Sequence, residues 1–231
     1  MPVVVMRLRA GMASYALHAG SFDPGQQAYR LGVTGRSVVT AAERPRLIAA
    51  FTGGFALNSG SGGFVEERHV VAPLKAGVAS LVIDANGAAH VGVWRQDVPV
   101  RGERVFSVRQ NLAPLVLHGR PSPRVGDVQA AWGATLGGGA SVARTALGQD
   151  RAGNLLFAAS MSVTPAELAD ALVRAGAQMA MQLDINPEWV QFDYARTPGG
   201  RLVAGIAGQH RPADQYLRGW TRDFITVMAR R

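Results

Sequence analysis

The chain has 231 residues, of which 48% are hydrophobic and 17% are charged, and its formal net charge is +8. This composition is typical of a packed globular protein and excludes an intrinsically disordered one. No apolar run approaches the roughly 20 residues that span a bilayer. Cysteine is absent, which excludes disulfides and thiolate metal sites. Because no linker is visible, we expect one domain over residues 1–231.

The positive charge is spread along the chain. Of the 24 basic residues only Lys75 is a lysine, and the longest cluster is the pair Arg230 and Arg231. A nucleic-acid-binding protein usually gathers its basic residues into one patch or run. We therefore expect an anionic small molecule or polymer as the partner, and no nucleic acid. The N-terminal "MPVVVMRLRAG" lacks the charged head and long apolar core of a signal peptide.

Short runs of β-type residues dominate the first two thirds of the chain and are separated by Gly, Pro, Asn and Asp. Asn86-Gly87 tolerates positive φ in a tight turn and predicts a hairpin. A second hairpin should turn around Asp150 to Asn154. The predicted strands are 3–9, 15–18, 46–51, 78–84, 88–94, 105–110, 113–118, 141–147 and 154–160.

One helix is strongly indicated in "VTPAELADALVRAG". Thr164 suits the N-cap, Pro165 suits the first helical position, and Glu167 completes a capping box. The expected helix is 165–175, and its apolar face consists of Leu168, Ala171, Leu172 and Ala175.

The last third of the chain should add one strand and one more helix. A buried strand is expected at 178–184 and a second helix at 221–230, with Thr221 as its cap and arginines in its last turn. These elements together predict an α+β fold that is rich in strands, with a mixed or antiparallel sheet and few helices.

The stretch "MQLDINPEWVQF" places polar residues directly after a buried strand. Asp184 ends the strand and is followed by Asn186, Pro187 and Glu188. Strand ends are common positions for ligand sites. Asp and Asn before a proline can equally serve only to turn the chain. The residues alone leave both interpretations open, and Trp189 and Phe192 beyond them are typical of a core.

Several common catalytic motifs are missing from the sequence. There is no Gly-x-Ser-x-Gly elbow, no phosphate loop and no His-Glu-x-x-His pair. The five histidines are too dispersed to indicate a metal cluster. We therefore expect no metal and no cofactor. His118, which ends "APLVLHG", is the histidine best placed to reach a cleft.

Four segments occur in an order that resembles the phosphodiester glycosidase family. They are "FTGGF" (51–55), "VRQNLAPLVLHG" (108–119), "ARTALGQDRAGNLLFAAS" (143–160) and "TPAELADALVRAGAQMAMQLDINPEW" (164–189). The resemblance covers about residues 44–231. It implies hydrolysis of the glycosyl–phosphate bond of a sugar phosphodiester, in an extracytoplasmic or cell-wall glycopolymer. "LHAGSFDPG" is similar to the bacterial, actinobacterial-type branch, which implies a secreted domain or one held to a membrane by an anchor outside this chain.

Two positions depart from the family pattern. Thr52 stands where the family commonly has asparagine. The family's Leu-Asp-Gly-Gly-Gly-Ser becomes Leu-Asp-Ile-Asn-Pro-Glu at 183–188, which keeps Asp184 and replaces a glycine loop with a stiffer one. These departures motivate a second hypothesis, a non-catalytic domain that binds an anionic glycopolymer. A nucleic-acid-binding protein, suggested only by the charge, is the third hypothesis.

The resemblance implies roles for particular residues. Asp184 is expected to act on the sugar, Arg144 to clamp the phosphate, and Glu188 to serve as a second acid. The alternatives are a structural ion pair for Arg144 and a solvated turn for Glu188. The expected substrate-binding residues are Gly53, Gly54, Asn111, His118, Thr145 and Asn186. The oligomeric state is left open.

Overall fold

The computed structural model describes residues 2–33 and 37–230. Within these ranges the helices are α1 Gly25–Arg30, α2 Pro165–Arg174 and α3 Gln215–Arg218. None of the helices in the described ranges has the length and hydrophobicity needed to traverse a bilayer.

Most of the regular structure is β-strand. The strands are β1 Val4–Leu8, β2 Ala13–His18, β3 Leu47–Thr52, β4 Phe64–Glu66, β5 His69–Ala72, β6 Ala79–Asp84, β7 Ala89–Val93, β8 Val105–Gln110, β9 Pro114–Leu117, β10 Arg120–Pro121, β11 Val142–Asp150, β12 Leu155–Val163, β13 Ala177–Ile185, β14 Phe192–Ala195, β15 Leu202–Ala204 and β16 Phe224–Ala229.

The strands form three sheets. A six-stranded sheet has the order β1-β12-β11-β13-β9-β10, and two five-stranded sheets have the orders β15-β14-β3-β16-β2 and β5-β4-β8-β6-β7. Neighbouring strands within each sheet pair antiparallel. The prediction of a strand-rich chain with few helices is confirmed, and its sheets are antiparallel.

The two predicted hairpins form as the turn residues indicate. Asn86 and Gly87 connect β6 to β7, with the Gly87 amide donating to the Asp84 carbonyl at 3.0 Å. Asp150 closes the β11–β12 turn by accepting from the Asn154 amide at 2.9 Å. The strands predicted at 141–147 and 154–160 are longer than expected, because they continue to Asp150 and Val163.

Helix α2 has the predicted cap and buries the predicted face. The Thr164 hydroxyl accepts from the Glu167 amide, and Glu167 accepts from the Thr164 amide at 2.8 Å. Leu168 and Leu172 are fully buried against residues of β11–β13 and β9, because the 3–4 spacing brings them to one side of the helix.

Truncation of this buried face is expected to be costly. Leu172→Ala should lower the free energy of unfolding by about 2–5 kcal/mol, because it leaves a cavity in the core. Asp170→Ala, at an exposed position of the same helix, should change it by no more than about 0.5 kcal/mol. Urea denaturation measures both values, and equal effects would mean that Leu172 is not packed.

The predicted helix at 221–230 is wrong. The segment Phe224–Ala229 is β16, which lies between β3 and β2 and pairs with both. The sequence "FITVMA" contains Ile225, Thr226 and Val227, whose β-branched side chains favour a strand. Burial between two neighbouring strands outweighs the N-cap and C-terminal charges that suggest a helix.

The main core lies between the sheets. Phe51, Phe157 and Phe192 pack with ring centroids 4.8–5.9 Å apart and are at most 2% exposed. The expectation that Phe192 belongs to the core is confirmed. At one edge of this core β3 and β13 end and β16 begins, since Thr52 pairs with Phe224.

Candidate active site

A cleft of about 370 Å³ opens at this edge, a size within the range of small-molecule sites. Its lining consists of Phe55, Ala56, Ser59, Leu112, Ala130, Gly133, Ala134, Asp184, Ile185, Asn186, Trp189 and Arg222. Asp184 and Arg222 are the charged residues of this lining. A hollow of about 550 Å³ beside α1 is larger, but the described residues that line it include no carboxylate.

Asp184 is a buried carboxylate at the floor of the cleft. It is 3% exposed, and its Oδ1 accepts from the Ile185 amide at 3.0 Å. Among the described residues, Oδ2 has no hydrogen-bond partner. Burial raises the pKa of Asp184 to about 7 and outweighs the opposing charge of Arg222. The carboxyl group can therefore lose or gain a proton near neutral pH, as a catalytic acid or base must.

Arg222 lies beside this carboxylate. Its Nη2 is 3.4 Å from the Asp184 Oδ2 and donates to the Gly54 carbonyl at 2.7 Å. Its guanidinium carbon lies 5.1 Å from the ring centroid of Trp189. Within the described part of the chain its Nε has no hydrogen-bond partner. Nε is buried, whereas Nη1 has no acceptor among the described residues, so the guanidinium is fixed in position while the N–H groups of Nη1 are left for an anion.

Gly53 and Gly54 form a turn against which other parts of the protein pack, so neither position has room for a side chain. A Cβ on Gly53 would collide with the Asp223 carboxylate, and one on Gly54 would collide with the Asn111 amide. The backbone amide of Gly53 donates to the Asp223 carbonyl at 3.0 Å, so this N–H group is used within the protein. The Asn111 side chain accepts from the Phe55 amide at 3.1 Å and is fully buried, so it braces the turn.

A buried ion pair between Arg109 and Asp223 also supports the Gly53–Gly54 turn. Arg109 Nε is 2.7 Å from the Asp223 Oδ2, and both side chains are at most 1% exposed. Arg109 also donates to the carbonyls of Gln110 and Phe55. Because Asp223 directly follows Arg222, this pair fixes the backbone from which Arg222 extends into the cleft.

The Arg144 guanidinium is bound within the protein, outside the lining of this cleft. Four of its N–H groups are used within the protein, on the carbonyls of Val163, Trp132 and Ala140 and on the Gln182 side chain, at 3.0–3.4 Å. A guanidinium has five N–H donors, so almost no capacity is left for phosphate. Arg144 is fully buried and is not part of the cleft lining. The structure therefore does not bring Arg144 into the cleft with Asp184, and the guanidinium beside Asp184 is that of Arg222.

Thr145 and Asn186 lie at the site but use their polar atoms within the protein. The Thr145 hydroxyl donates to the Asp184 carbonyl at 2.8 Å and so fixes the end of β13. The side-chain amide of Asn186 donates through Nδ2 to the Ala134 carbonyl at 3.1 Å and accepts at Oδ1 from the backbone amide of Leu136 at 2.9 Å. Asn186 lines the cleft, and its contacts hold the neighbouring loop.

Glu188 and His118 lie outside the cleft lining. Glu188 is bound by His210 at 2.8 Å and Arg211 at 2.9 Å, and the hydrogen bond from His210 lowers its pKa. An ionised surface carboxylate of this kind is poorly suited to donate a proton. His118 is exposed in the turn after β9, next to Gln178 at the start of β13. Asp184 lies six positions after Gln178 along β13, which is about 20 Å.

The sequence did not reveal Arg222, Asp223, Arg109 or the position of Trp189. The helix predicted at 221–230 gave Arg222 and Asp223 no role in a site, because "TRD" resembles the capped start of a helix. The strand pattern of "FITVMA" was the signal that would have placed Arg222 at a strand end. Trp189 is half-buried and lines the cleft under Arg222, so it is not a simple core residue.

Two solved structures resemble this chain in fold. The catalytic domain of zebrafish N-acetylglucosamine-1-phosphodiester alpha-N-acetylglucosaminidase, auto-inhibited by pro-peptide, is similar in structure, with a TM-score of 0.59 and 15% identity. The match covers 100% of this chain and 83% of that one. A hypothetical protein from Synechocystis has a TM-score of 0.59 and 12% identity, over 99% of this chain and 59% of that one. These likenesses show a shared fold.

No curated protein sequence matches the chain. The family model described as phosphodiester glycosidase matches residues 45–184, which is more than half of the sequence. This range contains the glycine turn, Arg109, Asn111 and Asp184. The chain belongs to the phosphodiester glycosidase family.

Proposed function

We propose that this protein hydrolyses the bond between the anomeric carbon of a sugar and the phosphate of a phosphodiester. The observation that carries the proposal is the pairing of a buried carboxylate with a partly free guanidinium in one cleft. The Asp184 Oδ2 and the Arg222 Nη2 are 3.4 Å apart. Such a pair offers one group for each half of the bond that breaks.

Each of the two groups can stabilise one of the charges that develop in this reaction. Positive charge grows at the anomeric carbon, where the Asp184 carboxylate can act as nucleophile, base or electrostatic stabiliser. Negative charge stays on the departing phosphate, where the free N–H groups of Arg222 can bind oxygens. Phosphate is a good leaving group, so the reaction needs no strong general acid. A cleft lining with Asp184 as its carboxylate is consistent with that requirement.

We also propose an extracytoplasmic location, which the likeness of "LHAGSFDPG" to the bacterial branch of the family supports. A cell-wall glycopolymer is one class of molecule that contains the proposed bond.

The proposal is tested with methyl esters of several sugar 1-phosphates, by measuring release of reducing sugar. We expect hydrolysis of at least one ester by the wild-type protein, and its loss in Asp184→Asn. Asp193→Asn is the matched control, because Asp193 is also buried with its pKa raised by burial to about 8, but it bonds Gln191 and Gln209 outside the cleft. Saturable binding of esters without release of sugar would favour the non-catalytic binding domain. Absence of both binding and hydrolysis across the panel would contradict the proposal.

A further inference from the structure

We infer that the alcohol on the outer side of the phosphate is apolar, such as an alkyl or isoprenoid alcohol. This inference rests on the proposed function and specifies its substrate class. The depths of Asp184 and Arg222 in the cleft determine which end of the substrate lies deeper. Asp184 is 3% exposed and must face the anomeric carbon, whereas the Arg222 side chain is 12% exposed and faces the phosphate. The alcohol beyond the phosphate then leaves the cleft toward its rim.

Most residues that line the cleft have apolar side chains. Apart from Asp184, Arg222, Ser59 and Asn186, the lining consists of apolar residues and one glycine. Arg222 is the cation of this lining, and in the proposed complex the phosphate occupies it. A polyanionic alcohol would therefore find no second cation in the described lining.

The rim continues this apolar character into solvent. Residues 122–141, which we call the rim loop, contribute Ala130, Gly133 and Ala134 to the cleft. Val128 and Leu136 of the same loop are 78% and 67% exposed. Leu136 is tied to the cleft by its amide, which donates to Asn186 at 2.9 Å. The sequence from Val128 to Ser141 contains no charged residue.

A third exposed apolar residue is hydrogen-bonded to Thr221, the residue before Arg222. Phe22 is 59% exposed, and its amide donates to the carbonyl of Thr221 at 3.0 Å. Its neighbour Asp23 carries a carboxylate that would repel a polyanion. Single exposed apolar residues are ordinary on protein surfaces. Several beside one cleft are typical of a binding surface. Because this surface continues from the cleft, the substrate itself is the occupant that the structure favours.

The inference is tested with methyl, hexyl and glycerol phosphodiesters of the same sugar, the hexyl chain being short enough to stay monomeric. Each methylene that becomes buried should improve binding in the transition state about fourfold. With two or more methylenes covered, kcat/KM for the hexyl ester should exceed that for the methyl ester at least about tenfold. The glycerol ester should resemble the methyl ester.

The variants connect this preference to the rim loop. The double variant Val128→Ser, Leu136→Ser should reduce the hexyl-to-methyl ratio toward one, and leave the methyl ester's kcat/KM unchanged. Val70→Ser is the matched control, because Val70 is 59% exposed on β5 and its replacement should leave the ratio unchanged.

Three results would overturn the inference. The first is equal kcat/KM for the hexyl and methyl esters. The second is a preference for the glycerol ester or for a longer polyanion. The third is an unchanged ratio in the double variant together with loss of self-association in sedimentation, which would assign the patch to a second copy. If no ester is cleaved, the proposed function fails, and calorimetric binding decides the inference. Tighter binding of the hexyl ester then supports it, and equal affinities overturn it.

Discussion

Asp184→Asn is expected to reduce kcat at least about a hundredfold, which corresponds to roughly 2.7 kcal/mol of transition-state stabilisation. Asparagine keeps the shape of the side chain and can still accept from the Ile185 amide. It removes the negative charge that would stabilise positive charge at the anomeric carbon. The loss should therefore appear in kcat, with a folded protein and a smaller change in KM. Single-turnover kinetics on the best ester of the panel measures this effect.

The pH dependence should change together with the charge. Asp184 is mostly protonated below its pKa of about 7 and ionised above it. If the carboxylate form is active, kcat/KM of the wild-type protein should rise from pH 5 to pH 8. The Asp193→Asn control should keep this profile, since its carboxyl group lies outside the cleft. A profile that falls over this range, or near wild-type turnover in Asp184→Asn, would contradict the assigned role.

The contribution of Asp184 to the free energy of unfolding should follow the opposite trend with pH. The folded-state pKa of Asp184 lies above the value of about 3.9 in unfolded chains. Its contribution is therefore fully present below the unfolded pKa and is lost as pH rises through about 7. Relative to wild type, Asp184→Asn should accordingly become more stable between pH 4 and pH 8.

Arg222→Lys is expected to raise KM at least about tenfold, or about 1.4 kcal/mol. Lysine keeps the positive charge near Asp184 but replaces a planar, multiply donating group with a point charge. It also loses the stacking on Trp189 and the Gly54 contact that fix the guanidinium. Steady-state kinetics with the methyl ester checks this prediction.

Arg144→Lys is the matched comparison for the phosphate clamp. Arg144 donates to four acceptors inside the protein, so lysine there should lower stability and leave KM of the folded protein nearly unchanged. If Arg144→Lys raises KM and Arg222→Lys does not, the clamp belongs to Arg144 and the cleft has been assigned wrongly.

Local patterns predicted the elements that depend on local chemistry. The capping box of α2, the Asn86-Gly87 turn and the core strands all have signals within a few residues, and all are present. β16 was missed because its strand character comes from burial between β3 and β2. The short strands β4, β5, β14 and β15 were also missed, since three or four residues carry little periodic signal.

The candidate site was predicted only in part for a similar reason. Asp184 stands at the end of a strand with a clear pattern, so its position could be inferred from the sequence. Which arginine faces it depends on how β16 pairs with β3, a contact between residues more than 170 positions apart. Sequence also cannot tell a guanidinium that binds ligands from one whose donors are used internally, which is what separates Arg222 from Arg144.

The proposed function is tested most directly by identifying which bond of the phosphodiester breaks. Hydrolysis of the best ester in water enriched in oxygen-18 can be followed by phosphorus NMR, which detects the isotope on phosphate. With Asp184 acting at the anomeric carbon, water should add to the sugar, and the released phosphate ester should carry no oxygen-18. Incorporation of oxygen-18 into the phosphate would mean that the phosphorus–oxygen bond breaks, and it would contradict the assignment of Asp184 and Arg222 to the two halves of a glycosyl phosphate.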